Sequence, residues 1–450
     1  MQEMKVMLKS YSIKNFKSYK EATIPLSTVT FLIGANGSGK SNALEALRFI
    51  GWLGQGKRLD DIEREFNNPN SSVRGKANNL FSYGSSTFSM NFATSEEKNY
   101  NLQISIQNFS SEDTLQEPRL INQYECLKES SREIALYEIT SKPSIHSDEI
   151  TVQYDNFLRG KNKPHIPCSN RQAIFYQLLS PSRFNSKKSQ QEIPKATNAL
   201  REQFNNIVFL APEPSQMRGY SHKSSDCRIS ENGANVSAVL QNICRDSVQK
   251  SKLLEIIRSL PEQDIKDITF AETPFGDVML ALQETFGNGA MVPAPLLSDG
   301  TLRCLAIAAA LLGAEKNSLV VIEEIDNGIH PSRAKYLVEQ IYIIAKERNI
   351  QLLVTTHNSA LMNAIPEVEI QNVLYCYRDP TDGTSKISRL GDLDRYMEIA
   401  VRDKLGEMVT SEFLDRLLKD TTSPEERKEK QLKWLNDFRN SVLTQDLKNE

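Results

Sequence analysis

Gly34-Ala35-Asn36-Gly37-Ser38-Gly39-Lys40-Ser41 reads G-x-x-x-x-G-K-S. The apolar, β-branched run Val29-Thr30-Phe31-Leu32-Ile33 precedes it, and a helical pattern from Ala43 to Ile50 follows. A strand, a glycine-rich turn and a helix start, in that order, make a phosphate cradle. The glycines let backbone amides curl around an anion. Lys40 adds a point charge for the β- and γ-phosphates, and the Ser41 hydroxyl can hold Mg²⁺. Asn36, Gly37, Ser38 and Gly39 complete the loop. The stretch predicts a nucleoside triphosphate with Mg²⁺ as the ligand, and the strands and helices that alternate in the second half predict an α/β fold with a parallel core.

The second half supplies what such a loop needs. Leu319-Val320-Val321-Ile322 is a buried-strand pattern, and Glu323-Glu324 follow it. A parallel strand ending in acids places them at the carboxyl edge of the sheet, where the P-loop also opens. Glu323 is expected in the metal shell and Glu324 beside the attacking water. Leu297-Ser298-Asp299-Gly300-Thr301 is a helix start whose hydroxyl and amides suit a phosphate. Thr355-Thr356-His357 ends the next strand, where a histidine can reach a γ-phosphate.

P-loop, L-S-x-G turn, strand ending in Glu-Glu and strand ending in His, in that order, resemble an ABC-type ATPase head. The opening Ile13-Lys14-Asn15-Phe16-Lys17-Ser18-Tyr19 resembles the start shared by the SMC, RecF and OLD group. Glu231 to Leu240, Leu297 to Arg303 and Ile322 to Pro331 resemble AAA-type ATPases without long coiled coils. Together the resemblance spans residues 8–95 and 206–380. It implies a head with a P-loop parallel sheet, an antiparallel β lobe and an inserted arm domain. It also implies that two heads sandwich ATP, Ser298 and Gly300 of one acting on the nucleotide of the other. Asp326 would lie at that seam, and His357 would be the switch histidine. Glu323 stands where Asp is usual, and Asp299-Gly300-Thr301 where Gly-Gly-Gln is usual, which predicts slow hydrolysis. Gln216 is the candidate for the family's loop glutamine.

Four segments are expected: 1–106 and 206–395 as the two halves of the head, 107–205 as the insertion, and 396–450 as a helical tail. Leu432, Leu435, Phe438 and Val442 mark one face of a helix in that tail, begun by Ser423-Pro424. The tail face is expected to dock on its own domain or on a partner. Arg159, Lys161, Lys163, Arg171, Arg183, Lys187, Lys188 and Lys195 crowd one stretch of the insertion with Phe175, Tyr176 and Phe184 among them. Basic and aromatic residues together suit DNA, and a solvated loop or a protein contact would use the same residues.

With 450 residues, two or three structural units are expected. A net charge of −3 gives no overall pull toward nucleic acid, so any such contact must be local. The six cysteines show no C-x-x-C spacing, which argues against zinc and a disulfide framework. No secretory leader or membrane span is expected, and the chain reads as cytoplasmic.

Three roles fit. The chain resembles the ATPases of Septu anti-phage systems (the PtuA type) and, less closely, of PARIS systems. That resemblance implies a homodimer or higher homo-oligomer controlling a separate nuclease, with an HNH protein as the suspected partner. A RecF-like repair ATPase is the alternative. A transporter's nucleotide-binding subunit fits poorly with the signature and the long insertion. No nuclease is expected in the chain itself: Asp392-Leu393-Asp394 is the one D-x-D after His357, and His146, His165 and His222 are widely spaced.

Overall fold

The computed structural model describes residues 6–66, 75–95, 98–109, 119–142, 144, 147–160, 162–223, 228–258, 265–285, 289–328, 330–393, 396 and 404–419. The expected tail helix around Leu432 to Val442, and Asp394, His146, Cys227 and Lys161, lie outside the described residues. Two compact units divide the chain, Met1–Gly406 and Glu407–Glu450. Within the second, helix Phe413–Lys419 carries a Lys419–Asp415 pair at 2.7 Å, one turn apart.

The centre of the first unit is a sheet of six strands, numbered here along the chain. They are β3 (Val29–Ile33), β10 (Val208–Leu210), β15 (Leu319–Ile322), β16 (Gln351–Thr356), β17 (Leu374–Arg378) and β18 (Ser385–Arg389), in spatial order β10-β15-β16-β3-β17-β18. The first five run parallel, and β18 returns antiparallel at one edge. Every residue of β3, β15 and β16 is buried. That is why these segments read as continuous apolar runs instead of alternating ones. Because the strands are parallel, the P-loop, Glu323-Glu324 and His357 all leave the sheet at one edge. The register pairs Ile33 with Thr356 and Ile322 with Val354.

An eight-stranded antiparallel lobe lies beside it: β1 (Met7–Phe16), β2 (Tyr19–Pro25), β4 (Thr87–Ser95), β5 (Tyr100–Phe109), β6 (Arg119–Glu129), β7 (Tyr137–Ile139), β8 (Glu149–Tyr154) and β9 (His165–Ser169). Along β4, Phe88, Met90 and Phe92 face inward while Thr87, Ser89 and Asn91 face outward, the alternation of a sheet with one wet face. Phe88 meets Phe16, Phe49 and Phe81 with ring centroids 5.2–5.4 Å apart. Phe49 belongs to the P-loop helix, Lys40–Gly54, so this cluster fixes the lobe to the phosphate loop.

The fold is the expected P-loop sheet with an antiparallel lobe, into which the segment expected as the insertion is built. Strands β6 to β9 extend the lobe, and helix Lys187–Asn205 packs on the P-loop helix: a methyl on Gly54 would sit 3.0 Å from the Phe204 side chain. These strands hide in the sequence because β6 buries Asn122 and Glu125. The Glu125 carboxylate accepts from Asn122, Tyr137 and the backbone N–H groups of Ile174 and Phe175, all at 2.7–2.8 Å. Four donors satisfy a buried charge that a pattern reader takes for a surface residue. Strands β12 (Ile265–Glu272), β13 (Asp277–Glu284) and β14 (Met291–Pro293) make a small antiparallel sheet with β11 (Ser221–His222). Phe81 adds one bridge to the lobe, to Phe16, before a turn.

Candidate nucleotide site

The phosphate loop is held open by its glycines. Gly34, Gly37 and Gly39 have φ of +146°, +75° and +120°, backbone that a side chain opposes. Gly34 and Gly39 are also crowded: an added methyl would lie 2.2 Å from the Cys376 carbonyl oxygen and 2.3 Å from Ser385 Oγ. From the opposite side Tyr19 donates to the Gly39 carbonyl at 3.0 Å, and Ser385 Oγ donates to the Ser38 carbonyl at 2.6 Å. Thus β17, β18 and the start of β2 buttress the loop from behind. No side chain caps the P-loop helix at Gly39, and no acid lies in its first turn. Its first amides are left to an anion.

Lys40 folds back over its own loop, its ammonium donating to the carbonyls of Gly34 at 2.6 Å and Ala35 at 3.0 Å. Burial pulls this ammonium below its ordinary range, and Cys376, Glu324 and Asp326 oppose that shift. The electrostatic reach of Lys40 therefore includes two of the acids expected at the site. Asn36, Gly37 and Ser41 are exposed, and Ser38 is buried.

Glu324 leaves β15 with φ of +48°, unusual for a residue with a side chain. Its N–H donates to Thr355 Oγ1 at 2.9 Å, and its carboxylate accepts from the Asn327 side chain at 2.6 Å. Asp326 is 7% exposed. Its Oδ2 lies 3.8 Å from Nδ1 of its own His357, and Oδ1 is buried with no hydrogen-bond partner. Asp326, expected at a seam between heads, thus faces inward in its own chain. Glu323, expected in the metal shell, accepts at Oε1 from Arg48 Nη2 at 2.6 Å. Arg48 also lies 2.6 Å from Glu231 Oε1, with Phe209 beneath it at 4.4 Å. No motif predicted a role for Arg48. The one signal was a cation inside an otherwise buried helix.

Ser298 is the N-cap of helix Asp299–Gly313, accepting from Thr301 N–H at 3.2 Å. It is exposed, and Arg218 reaches over the turn to Asp299 at 2.6 Å and to the Leu297 carbonyl at 3.2 Å. Gly300 packs on the turn after Glu324: a methyl on Gly300 would fall 2.3 Å from the Gly328 carbonyl oxygen. Gln216 is exposed in the short helix Pro214–Met217.

A magnesium nucleotide needs one or two protein oxygens, the rest of the shell being water and phosphate. The Ser41 hydroxyl and the acids ending β15 are oxygen donors of that kind, and they fit. Among the described residues no three His, Cys, Asp or Glu side chains converge on a metal position.

Three of the insertion's basic residues are tied into the fold, while Arg159, Lys187, Lys188 and Lys195 are exposed. Lys163 pairs with Asp155 at 2.9 Å, and Arg171 contacts Asp148 and the Leu120 carbonyl. Arg183 donates to the carbonyls of Gln177 and Pro167, and Phe175 and Phe184 are core. Asp392 sits in a short turn and pairs with Arg389 at 3.2 Å. Among the described residues no helix is long and apolar enough to cross a membrane.

Residues 29–363 match the family described as "AAA domain, putative AbiEii toxin, Type IV TA system", and the chain belongs to that family. An "ATP/GTP phosphatase" of Helicobacter pylori is 23% identical over 368 residues, covering 80% of this chain and 88% of that one. The DNA replication and repair protein RecF of Leptospira interrogans is 33% identical over 76 residues, covering 16% of this chain and 21% of that one. Among solved structures, an Smc head domain from Pyrococcus furiosus, bound to the C-terminal domain of ScpA, has a TM-score of 0.44 at 15% identity, covering 88% of this chain and 98% of that one. The SMC head domain from Thermotoga maritima has a TM-score of 0.35 at 14% identity, covering 86% and 99%.

Proposed function

Starting from membership of the AAA-domain family, we propose that this chain hydrolyses ATP as a dimerising switch subunit that controls a separate nuclease in anti-phage defence. The observation that carries the nucleotide reading is one sheet edge. There the phosphate loop, Glu324 and His357 emerge from β3, β15 and β16, with Lys40 in electrostatic reach of Glu324 and Asp326. The name of the Helicobacter relative, a phosphatase of ATP or GTP, supports hydrolysis of a purine nucleoside triphosphate.

In this reading the amides of Asn36 to Ser41 wrap the phosphates. Lys40 leaves its own carbonyls for the β- and γ-phosphates. Ser41 and Glu323 would hold Mg²⁺, which would neutralise phosphate charge. Glu324, fixed by Asn327 and Thr355, accepts hydrogen bonding from the attacking water. His357, steadied by Asp326, contacts the γ-phosphate. Ser298 and Gly300 of a second protomer close the site, an exposed turn being suited to that task.

The defence role is supported by the family's description as part of a toxin–antitoxin system and by the motif resemblance to Septu ATPases. A RecF-like repair role is the second reading, favoured by the 76-residue match to a RecF protein. The test has two stages. Lys40→Ala should abolish nucleotide binding, while Glu324→Gln should bind and not turn over; wild-type turnover in Glu324→Gln refutes the site. The gene and its neighbouring reading frame are then challenged with phage. Protection lost in Lys40→Ala supports the defence reading. No protection, combined with ultraviolet sensitivity on deletion, supports repair instead.

A further inference from the structure

Arg48 joins the phosphate-loop helix to the acid expected to hold the metal. It lies about two turns along that helix from Lys40 and is 5% exposed. Its guanidinium serves two acids at once: Glu323 at 2.6 Å, with a 16% exposed side chain, and Glu231 at 2.6 Å, with a 39% exposed side chain. The end of β10 fixes both acids. Glu323 N–H donates to the Leu210 carbonyl, and Ala211 N–H donates to the Glu231 carbonyl, each at 2.9 Å. The loop carrying Glu231 is tied further by Asn235, whose side chain accepts from Ser230 N–H at 2.7 Å.

A buried guanidinium cannot be left without a counter-charge at small cost, because the desolvation already incurred is no longer offset. One acid alone would therefore lock Arg48 and that acid together. Two acids allow one of them to leave. The planar fork of arginine suits such sharing, and a lysine would not replace it.

We propose that Arg48 is a positioning residue that holds Glu323 in the nucleotide-free protein and releases it to a magnesium nucleotide, with Glu231 keeping the guanidinium paired. This rests on the nucleotide reading above and adds to it a control on metal capture. Glu231 is the latch that makes release inexpensive. Its removal should make Glu323 harder to take. Removal of the guanidinium should make Glu323 easier to take, since nothing then competes for it.

The experiment titrates Mg²⁺ into the full chain with a fluorescent non-hydrolysable ATP analogue at fixed concentration. The readout is the Mg²⁺ midpoint of binding, alongside binding in EDTA and the thermal midpoint. Glu231→Gln should raise the Mg²⁺ midpoint by about fivefold or more, the lower end for one coupled pair of sites, and leave binding in EDTA unchanged. Arg48→Met should lower it, and the double variant should lose the rise caused by Glu231→Gln. A staple that merely supports the fold would lower thermal stability in both single variants without splitting the Mg²⁺ midpoints in opposite directions. Midpoints of Glu231→Gln and Arg48→Met that agree with wild type within about twofold overturn the proposal. If Arg48→Met does not fold, Glu231→Gln decides alone, its partly exposed site tolerating the change. A wild-type chain with no Mg²⁺-dependent binding would refute the nucleotide reading itself, and the wild-type control tells the two failures apart.

Discussion

Gly300→Ala tests how the signature turn is set against the turn that follows Glu324. The added methyl would sit 2.3 Å from the Gly328 carbonyl oxygen, roughly 1 Å or more short of ordinary contact. Neither side yields easily. Gly300 is in the first turn of a helix whose residues Leu305 to Leu312 are all buried, and Gly328 holds a φ of +72°. Overpacking of this kind costs about 1–3 kcal/mol. For the unit Met1–Gly406 that lowers the thermal midpoint by roughly 1–4 °C. The displaced turn should also slow hydrolysis by about tenfold or more, since misplacement near 1 Å is felt at a reacting centre. Calorimetry and a phosphate-release assay read both effects. Gly219→Ala is the control, because a methyl there meets nothing within 4 Å. If Gly300→Ala melts within about 1 °C of the control and hydrolyses normally, the contact between the two turns is not as described.

Four further outcomes are expected. Lys40→Ala should lose nucleotide binding in an equilibrium titration, while Glu324→Gln keeps it and loses at least about a hundredfold in turnover. Ser298→Arg should bind nucleotide as wild type but fail to associate or hydrolyse; normal hydrolysis by a monomeric Ser298→Arg would remove the in-trans site. Glu125→Ala strands four donors in the lobe and should cost about 3 kcal/mol or more in a urea titration. Burial pushes the thiols of Cys126, Cys168 and Cys244 up to about 11 and that of Cys304 up to about 12. At pH 8 the first three should therefore label roughly a hundredfold more slowly in the folded chain than in urea, and Cys304 more slowly still. Since the folded values are the higher ones, their contribution to stability is complete below pH 9 and falls as pH rises through about 11; a flat urea midpoint across that range would contradict it.

Sequence alone determined the parts of this protein whose chemistry is local. A phosphate loop needs its glycines, its lysine and its hydroxyl within one turn, so Gly34 to Ser41 could be read directly. Strands buried on both faces must be apolar throughout, so β3, β15 and β16 were legible, and with them the edge where Glu324 and His357 emerge. Tertiary structure decided what depends on distant partners. Glu125 looks like a surface acid until Tyr137 and the amides of Ile174 and Phe175 close over it, and for that reason strands β6 to β9 were invisible. Arg171 looked like one more cation of a basic surface until Asp148 and the Leu120 carbonyl were found within its reach. Arg48 and Glu231 are 183 residues apart, and only the parallel sheet brings both to Glu323. A side chain's charge is written in the sequence, but the group that neutralises it is chosen by the fold.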